Sequence, residues 1–170
     1  NENCAELMNK IFGAENKSQD RKWGLTVHGT HYGLIEGNIV YRASGASFAA
    51  EDATETGNKW YRNFSLQVVG GNGARTEDRD PGDDSKLGRA GVGFWINGVG
   101  YLSEYEYNVG ANVEECTYCD GGFKFDNVYN GTITVPVQQG ADPHVAGGGK
   151  TISAYSIGIT HFKHNEVYAA

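Results

Sequence analysis

The sequence predicts an all-β fold, a right-handed parallel β-helix, and three observations carry that expectation. A short phrase recurs: "GNIVYR" at Gly37–Arg42 and "GNKWYR" at Gly57–Arg62 share Gly, Asn, Tyr and Arg in the same places, 20 residues apart. Looser versions follow in "INGVGYLSEY" from Ile96, "NVYNGT" from Asn127 and "NEVYAA" from Asn165. A repeat of about 20–29 residues marks a solenoid whose units stack on their neighbours. The composition agrees, with 25 Gly against 3 Pro and with 10 Tyr and 7 Phe among Val, Ile and Trp, which suits many short strands and tight turns. Finally, helical spacing is confined to one short stretch near the start.

That stretch is "CAELMNKIFGA", Cys4–Ala14, where Leu7, Met8, Ile11 and Phe12 share a face. Gly13 and the polar "ENKSQDRK" end it, so a short N-terminal helix is expected. Strand candidates then follow in order: "LTVHG", "YGLIEGNIVYR", "SFAAED", "NKWYRNFSLQVV", "VGFWING", "VGYLSEYEYNV", "GFKFDNVY", "GTITVPV" and "ISAYSIGITHF". Each coil of a solenoid turns sharply several times. Gly supplies positive φ without steric cost and Asn tolerates the left-handed region, which accounts for the Gly-Asn opening of the repeat. Stacked Asn side chains can hydrogen-bond along the axis, with Asn58 expected directly over Asn38.

Two long polar segments interrupt the rhythm, Gly70–Gly91 and Gln138–Lys150, and both read as loops extruded from a coil corner. At the far end "KHNEVYAA" reads as the opening of another coil. A solenoid's last unit needs a polar cap. The 170 residues are therefore expected to form one β-helix domain that either continues in a longer chain or packs end to end against something else.

With 21 acidic and 14 basic side chains, a formal charge of −7 disfavours a nucleic-acid backbone or an anionic membrane as partner. No apolar stretch approaches the roughly 18 residues of a membrane span. Cys116 and Cys119, in "CTYC", read as two thiols near a turn, able to bridge in an oxidising compartment. Together with His161 and His164 they also make four zinc ligands, at a separation far longer than in compact fingers.

Residues able to do chemistry gather in two places. His28 and His31 stand in "VHGTH", and Glu51, Asp52 and Glu55 precede the second repeat. Asp78, Asp80, Asp83 and Asp84 fall in the first long loop with Arg75 and Arg79 between them. A carboxylate with a His or Arg on an open solenoid face is the minimum for general acid–base cleavage of a glycan. The expected catalytic set is Glu51, Asp52, His28 and Asp80, with Arg79, Glu55, Trp95 and Tyr101 as substrate contacts. Asp78, Asp80 and Asp83 can hold calcium, although their spacing is not that of an EF-hand. Each has a plain alternative: loop acids are solvated charges, turn histidines bond to backbone, and Trp60, Trp95, Tyr101 and Tyr105 are either a sugar-stacking platform or core stacks.

The stretch from Val27 to Asp126 resembles the parallel β-helix of the cell-migration-inducing and transmembrane hyaluronidases and of fibrocystin. His28-Gly29-Thr30 matches that family's turn and Asn38, Val40 and Tyr41 its following strand. Phe48, Glu51, Asp52, Glu55 and Asn58 match what comes next, and Asp78-Arg79-Asp80 and Phe94-Trp95 its later motifs. The chain departs at Ala46, where the family tends to have His, and at Ala53, where it has Gly. The resemblance implies a secreted or cell-surface protein that binds or cleaves an extracellular polysaccharide, hyaluronan-like or another acidic glycan, as a hydrolase or lyase if an enzyme. Fibrocystin-like members imply the alternative, a non-catalytic structural or adhesive module of an extracellular fibre or coat.

Overall fold

The computed structural model describes residues 23–43, 45–51, 53–68, 92–98, 100–113, 121–126, 131–154 and 157–168. The expected helix over 4–14, Cys4 and the Cys116–Cys119 pair lie outside them.

Three parallel sheets form, and each coil gives one strand to each. The first sheet holds β1 (Trp23–Val27), β4 (Ala46–Ala50), β7 (Val92–Asn97) and β10 (Gly121–Asp126), in that spatial order. The second holds β2 (Leu34–Glu36), β5 (Lys59–Tyr61), β8 (Glu104–Glu106) and β13 (Phe162–Lys163). The third holds β3 (Ile39–Tyr41), β6 (Phe64–Val68), β9 (Val109–Val113) and β14 (Glu166–Tyr168). Between β10 and β13 the chain makes an antiparallel hairpin, β11 (Thr132–Val137) with β12 (Gly148–Ser153). "GTITVPV", expected as a coil strand, is thus a hairpin arm, and part of the expected loop 138–150 is its partner. Antiparallel arms need only a short connection, whereas a parallel neighbour needs a full coil between.

The corners explain the repeat. Positive φ recurs every five residues at Tyr32, Gly37 and Arg42, then at Gly57, Arg62 and Gln67, then at Leu102, Tyr107 and Asn112. These are the turns into the second sheet, from the second to the third, and out of the third. In the second and third sheets, stacked partners in the first two coils are 25 residues apart, as Asn38 and Asn63 are. "GNIVYR" and "GNKWYR" therefore lie on different sheets, β3 in the third and β5 in the second, and their 20-residue offset is a 25-residue coil less one five-residue corner step.

The asparagine ladder exists, with other members than expected. Asn38 stacks on Asn63, Asn63 on Asn108 and Asn108 on Asn165. In each step the backbone N–H and Nδ2 of one Asn donate to Oδ1 of the next, at 2.9–3.2 Å. Nδ2 of Asn63, Asn108 and Asn165 also donates to the carbonyl of Ile35, Trp60 and Tyr105. Asn58 belongs to a different column: its Oδ1 accepts from Gly33 N and its own N–H donates to Ser103 Oγ. Each ladder Asn directly follows a left-handed residue, where the corner would otherwise leave buried backbone groups unpaired.

The interior is lopsided. Between the first and second sheets, Phe48, Phe94 and Phe123 stack at 4.7 and 4.6 Å, and Trp60 lies on Tyr105 at 6.3 Å. Between the first and third sheets the residues are small. Ser65 Oγ meets Ser47 Oγ at 2.7 Å, and a Cβ on Gly110 would sit 3.1 Å from the Gly122 Cα. Glycine there lets two backbones approach closely.

Candidate functional site

The chain leaves the first sheet through the turns after β1, β4 and β7, and this corner collects the residues expected to do chemistry. Register places His28, Glu51 and Asn97 in one column, each just beyond or at the end of its strand. His28 Nδ1 lies 2.9 Å from Glu51 Oε2, with the His28 side chain 65% exposed and that of Glu51 only 22%. Asn97 Nδ2 donates to the Glu51 carbonyl and so ties the third coil to the second. A recessed carboxylate within hydrogen-bond reach of an exposed imidazole fixes the orientation of the ring. That pairing can pass a proton to or from a group in the solvent.

Around it, side chains are used to satisfy backbone. Glu55 is buried, and its Oε1 accepts from Gly29 N at 3.3 Å. His31 Nδ1 accepts from Thr56 N at 3.2 Å, which is the turn-histidine role. Asn58 Nδ2 donates to the Thr30 carbonyl at 2.8 Å.

The hairpin is fastened alongside the same corner. Tyr32 OH donates to the Pro136 carbonyl at 3.1 Å and accepts from Gln138 N at 2.8 Å. Tyr101 donates to Asp142, while Lys150 Nζ reaches Tyr101 OH at 2.6 Å and Asp142 Oδ2 at 2.8 Å and lies over the Tyr101 ring. Asp142 Oδ1 also accepts from His144 N at 2.8 Å. The Lys150 ammonium, the Tyr101 hydroxyl and the His144 N–H hold the Asp142 carboxyl well below the usual carboxylate range. Burial and the Asp142 carboxylate push the Tyr101 hydroxyl up, opposed by Lys150.

A second cluster lies on the outer face of the second sheet, and of its members the sequence expectations name only His161, as a zinc ligand; here it pairs with a carboxylate. Tyr61 donates to Glu104, Lys59 lies 3.3 Å from Glu104, His161 pairs with Glu106, and Arg62 bonds Glu36 at 2.7 Å. Burial and the Glu104 carboxylate push the Tyr61 hydroxyl up to about 12. For Glu104, burial acts upward but is outweighed by Tyr61 and Lys59, so its carboxyl is lowered. The signal was present in "SEYEYN": alternate acids in a three-residue strand share one face.

Of the expected residues, the fold brings Glu51 and His28 together and sets Glu55 beneath them against backbone. Trp95 is buried and stacks on Trp23 at 5.6 Å, so its ring packs in the protein instead of offering a face to a sugar. Tyr101 fastens the hairpin. Asp52, Asp78, Arg79, Asp80 and Asp83 lie outside the described residues, and the calcium expectation lies there with them. Among the described residues no three His, Cys, Asp or Glu side chains gather as metal ligands, and no helix is long and apolar enough to cross a membrane.

Residues 16–97, just under half of the chain, match the family model described as CEMIP beta-helix. Over those residues the likeness read from the His-Gly-Thr turn and the strands after it is borne out, and this stretch is a CEMIP-type β-helix region. No curated protein and no solved structure matches the chain.

Proposed function

We propose that this CEMIP-type β-helix region, wound in the right-handed sense that parallel crossovers take, belongs to a secreted or cell-surface protein. It engages an extracellular polysaccharide, hyaluronan-like or another acidic glycan, along the corner that carries His28 and Glu51. The observation behind this reading is the exposed imidazole held at 2.9 Å by a recessed carboxylate, within the residues that match the family model. In the cleaving form Glu51 orients His28, and His28 exchanges a proton with the glycosidic oxygen; Asp52 and Asp80 are the candidate second carboxylates.

The test is depolymerisation of hyaluronan and of a neutral polysaccharide by the 170-residue chain, followed by new reducing ends, with binding measured in parallel. Glu51→Gln keeps the shape and a hydrogen-bond acceptor while removing the charge. It is expected to lower cleavage by about a hundredfold, the usual scale of general acid–base help, with the far-UV spectrum unchanged. Cleavage equal to that of the unmodified chain removes Glu51 and His28 from the mechanism. The absence of both binding and cleavage for both polysaccharides overturns the reading.

A second reading, a non-catalytic structural or adhesive module, is favoured by one observation. Glu55, His31, Tyr101 and Asp142 are all engaged in holding turns or the hairpin in place.

A further inference from the structure

The hairpin is built separately from the coils it crosses. It stands between β10 and β13, where the other coils pass from the first sheet to the second within residues 28–33, 51–58 and 98–103. Neither arm pairs with a strand of the three parallel sheets. Val135 and Val137 are buried while Thr134 and Pro136 face solvent, so one side of β11 is seated against the protein.

Among the described residues the hydrogen bonds between hairpin and coils all end on two hydroxyls. Tyr32, in the first coil, accepts from Gln138 N at 2.8 Å and donates to the Pro136 carbonyl at 3.1 Å. Tyr101, in the third coil, donates to Asp142 and accepts from Lys150 Nζ at 2.6 Å. In the coil between them stands Gly57, where a Cβ would lie 2.5 Å from the Tyr32 ring, so glycine makes the seat in which that ring rests.

Such a piece has a stability of its own. Coil strands open only with the stack, whereas the hairpin leaves by giving up one apolar side and these four hydrogen bonds. A two-stranded hairpin alone in water is marginal, so its cross-strand bonds do not outlast detachment. At its base Gly131 has a φ of 105° with open space around it, and Ala154 N donates to the Gly131 carbonyl at 3.0 Å. A small residue at the end of an element suits a hinge.

The first latch is also one end of the turn that carries His28. Within that turn Gly29 N donates to Glu55, His31 Nδ1 accepts from Thr56 N, and Tyr32 N donates to the Thr56 carbonyl at 2.7 Å. Glu55, Thr56, Gly57 and Asn58, which belong to the coil between the two latches, are buried. Gly57 N in turn donates to the Tyr101 carbonyl at 2.8 Å. Whatever seats Tyr32 therefore bears on how the imidazole is presented.

We propose that the β11–β12 hairpin is a strap that leaves the coil stack as a unit, latched by the hydroxyls of Tyr32 and Tyr101, and that its docking orders the turn carrying His28. Tyr32 is then a positioning residue that acts through this turn. The consequence for proton exchange by His28 rests on the glycan reading; the strap itself does not.

Hydrogen exchange of the 170-residue chain, followed amide by amide by NMR, tests the strap without any polysaccharide, so its outcome is separate from that of the cleavage assay. The amides of β11 and β12 are expected to exchange as one group and faster than those of β4 and β7. Tyr32→Phe and Tyr101→Phe each keep the ring and remove the hydroxyl. Each is expected to speed exchange in the hairpin about threefold to tenfold, the scale of a lost hydrogen bond, and to leave β4 and β7 unchanged. Tyr101→Phe is also expected to speed exchange at the Gly29 and Tyr32 amides, two coils away, which a purely local role for Tyr101 would not do. Hairpin amides as well protected as those of β4 and β7, or no acceleration in either variant, overturns the proposal. Equal acceleration in the coils, or a Tyr101→Phe variant silent at Gly29 and Tyr32, overturns it as well.

Discussion

Asn108 is the substitution that tests the fold most directly. It is fully buried, and Asn108→Ala removes four side-chain hydrogen bonds while leaving the backbone intact. The Asn63 N–H loses its acceptor at 3.1 Å, and the Trp60 carbonyl loses its donor at 2.7 Å. Asn63 Nδ2 keeps the Ile35 carbonyl, and Asn165 Oδ1 keeps the Asn108 N–H. The Asn63 N–H is therefore orphaned, at about 1–3 kcal/mol, while the Trp60 carbonyl keeps its place in the β5–β8 pairing and loses one of its bonds. We expect a loss of about 2–3 kcal/mol, a large part of the roughly 5–15 kcal/mol that holds a domain together.

Asn38→Ala is the matched control, since Asn38 stands at the end of the ladder and its Oδ1 accepts nothing among the described residues; about 1 kcal/mol or less is expected there. Urea titrations followed by tryptophan fluorescence and far-UV circular dichroism give both values from the midpoint shift at unchanged slope. If Asn108→Ala costs no more than Asn38→Ala, the ladder does not hold the second-to-third-sheet corner, and the account of the fold given above fails at its centre.

Two other outcomes follow from the packing and the outer face. Phe94 lies between Phe48 and Phe123 in near-parallel stacks, so Phe94→Ala is expected to cost about 3–5 kcal/mol in the same titration, and a loss under about 1 kcal/mol would mean that the aromatic column is not the core. The Tyr61 hydroxyl, raised from 10.0 to about 12, contributes stability that is complete below pH 10 and lost as pH rises through about 12. Ultraviolet titration should show one tyrosine ionising near that upper value, and the step should vanish in Tyr61→Phe; a Tyr61 that ionises near 10 would break the assigned bond to Glu104.

Much of the architecture was legible because local chemistry and global winding agree. Short strands separated by Gly and Asn every few residues fit little besides a coil of tight corners, and the match over residues 16–97 follows the same turns. The pairing of stacked rungs was not legible. "GNIVYR" and "GNKWYR" look like consecutive rungs because every corner needs a left-handed residue, and neighbouring corners on different faces need it equally. Only Asn38 follows a Gly; Asn63, Asn108 and Asn165 follow Arg62, Tyr107 and His164, so most of the true ladder lacks the Gly-Asn signature.

The site divides in the same way. Glu51 and His28 could be named from the sequence, since both stand at strand ends beside turns, where side chains reach the surface. Their contact is a tertiary fact: it needs β1 and β4 in register, 23 residues apart along the chain. The roles of Trp95, Tyr101 and Glu55 depended on what packs against each, and one sequence position records no neighbours from other coils. The alternation of side chains and the turn residues thus determined by themselves that the chain winds in short parallel strands. Which residues meet was decided by the length of each coil, 25 residues and then 45 and 57 where long segments intervene, because hydrogen bonds between strands bind whatever the winding brings into register.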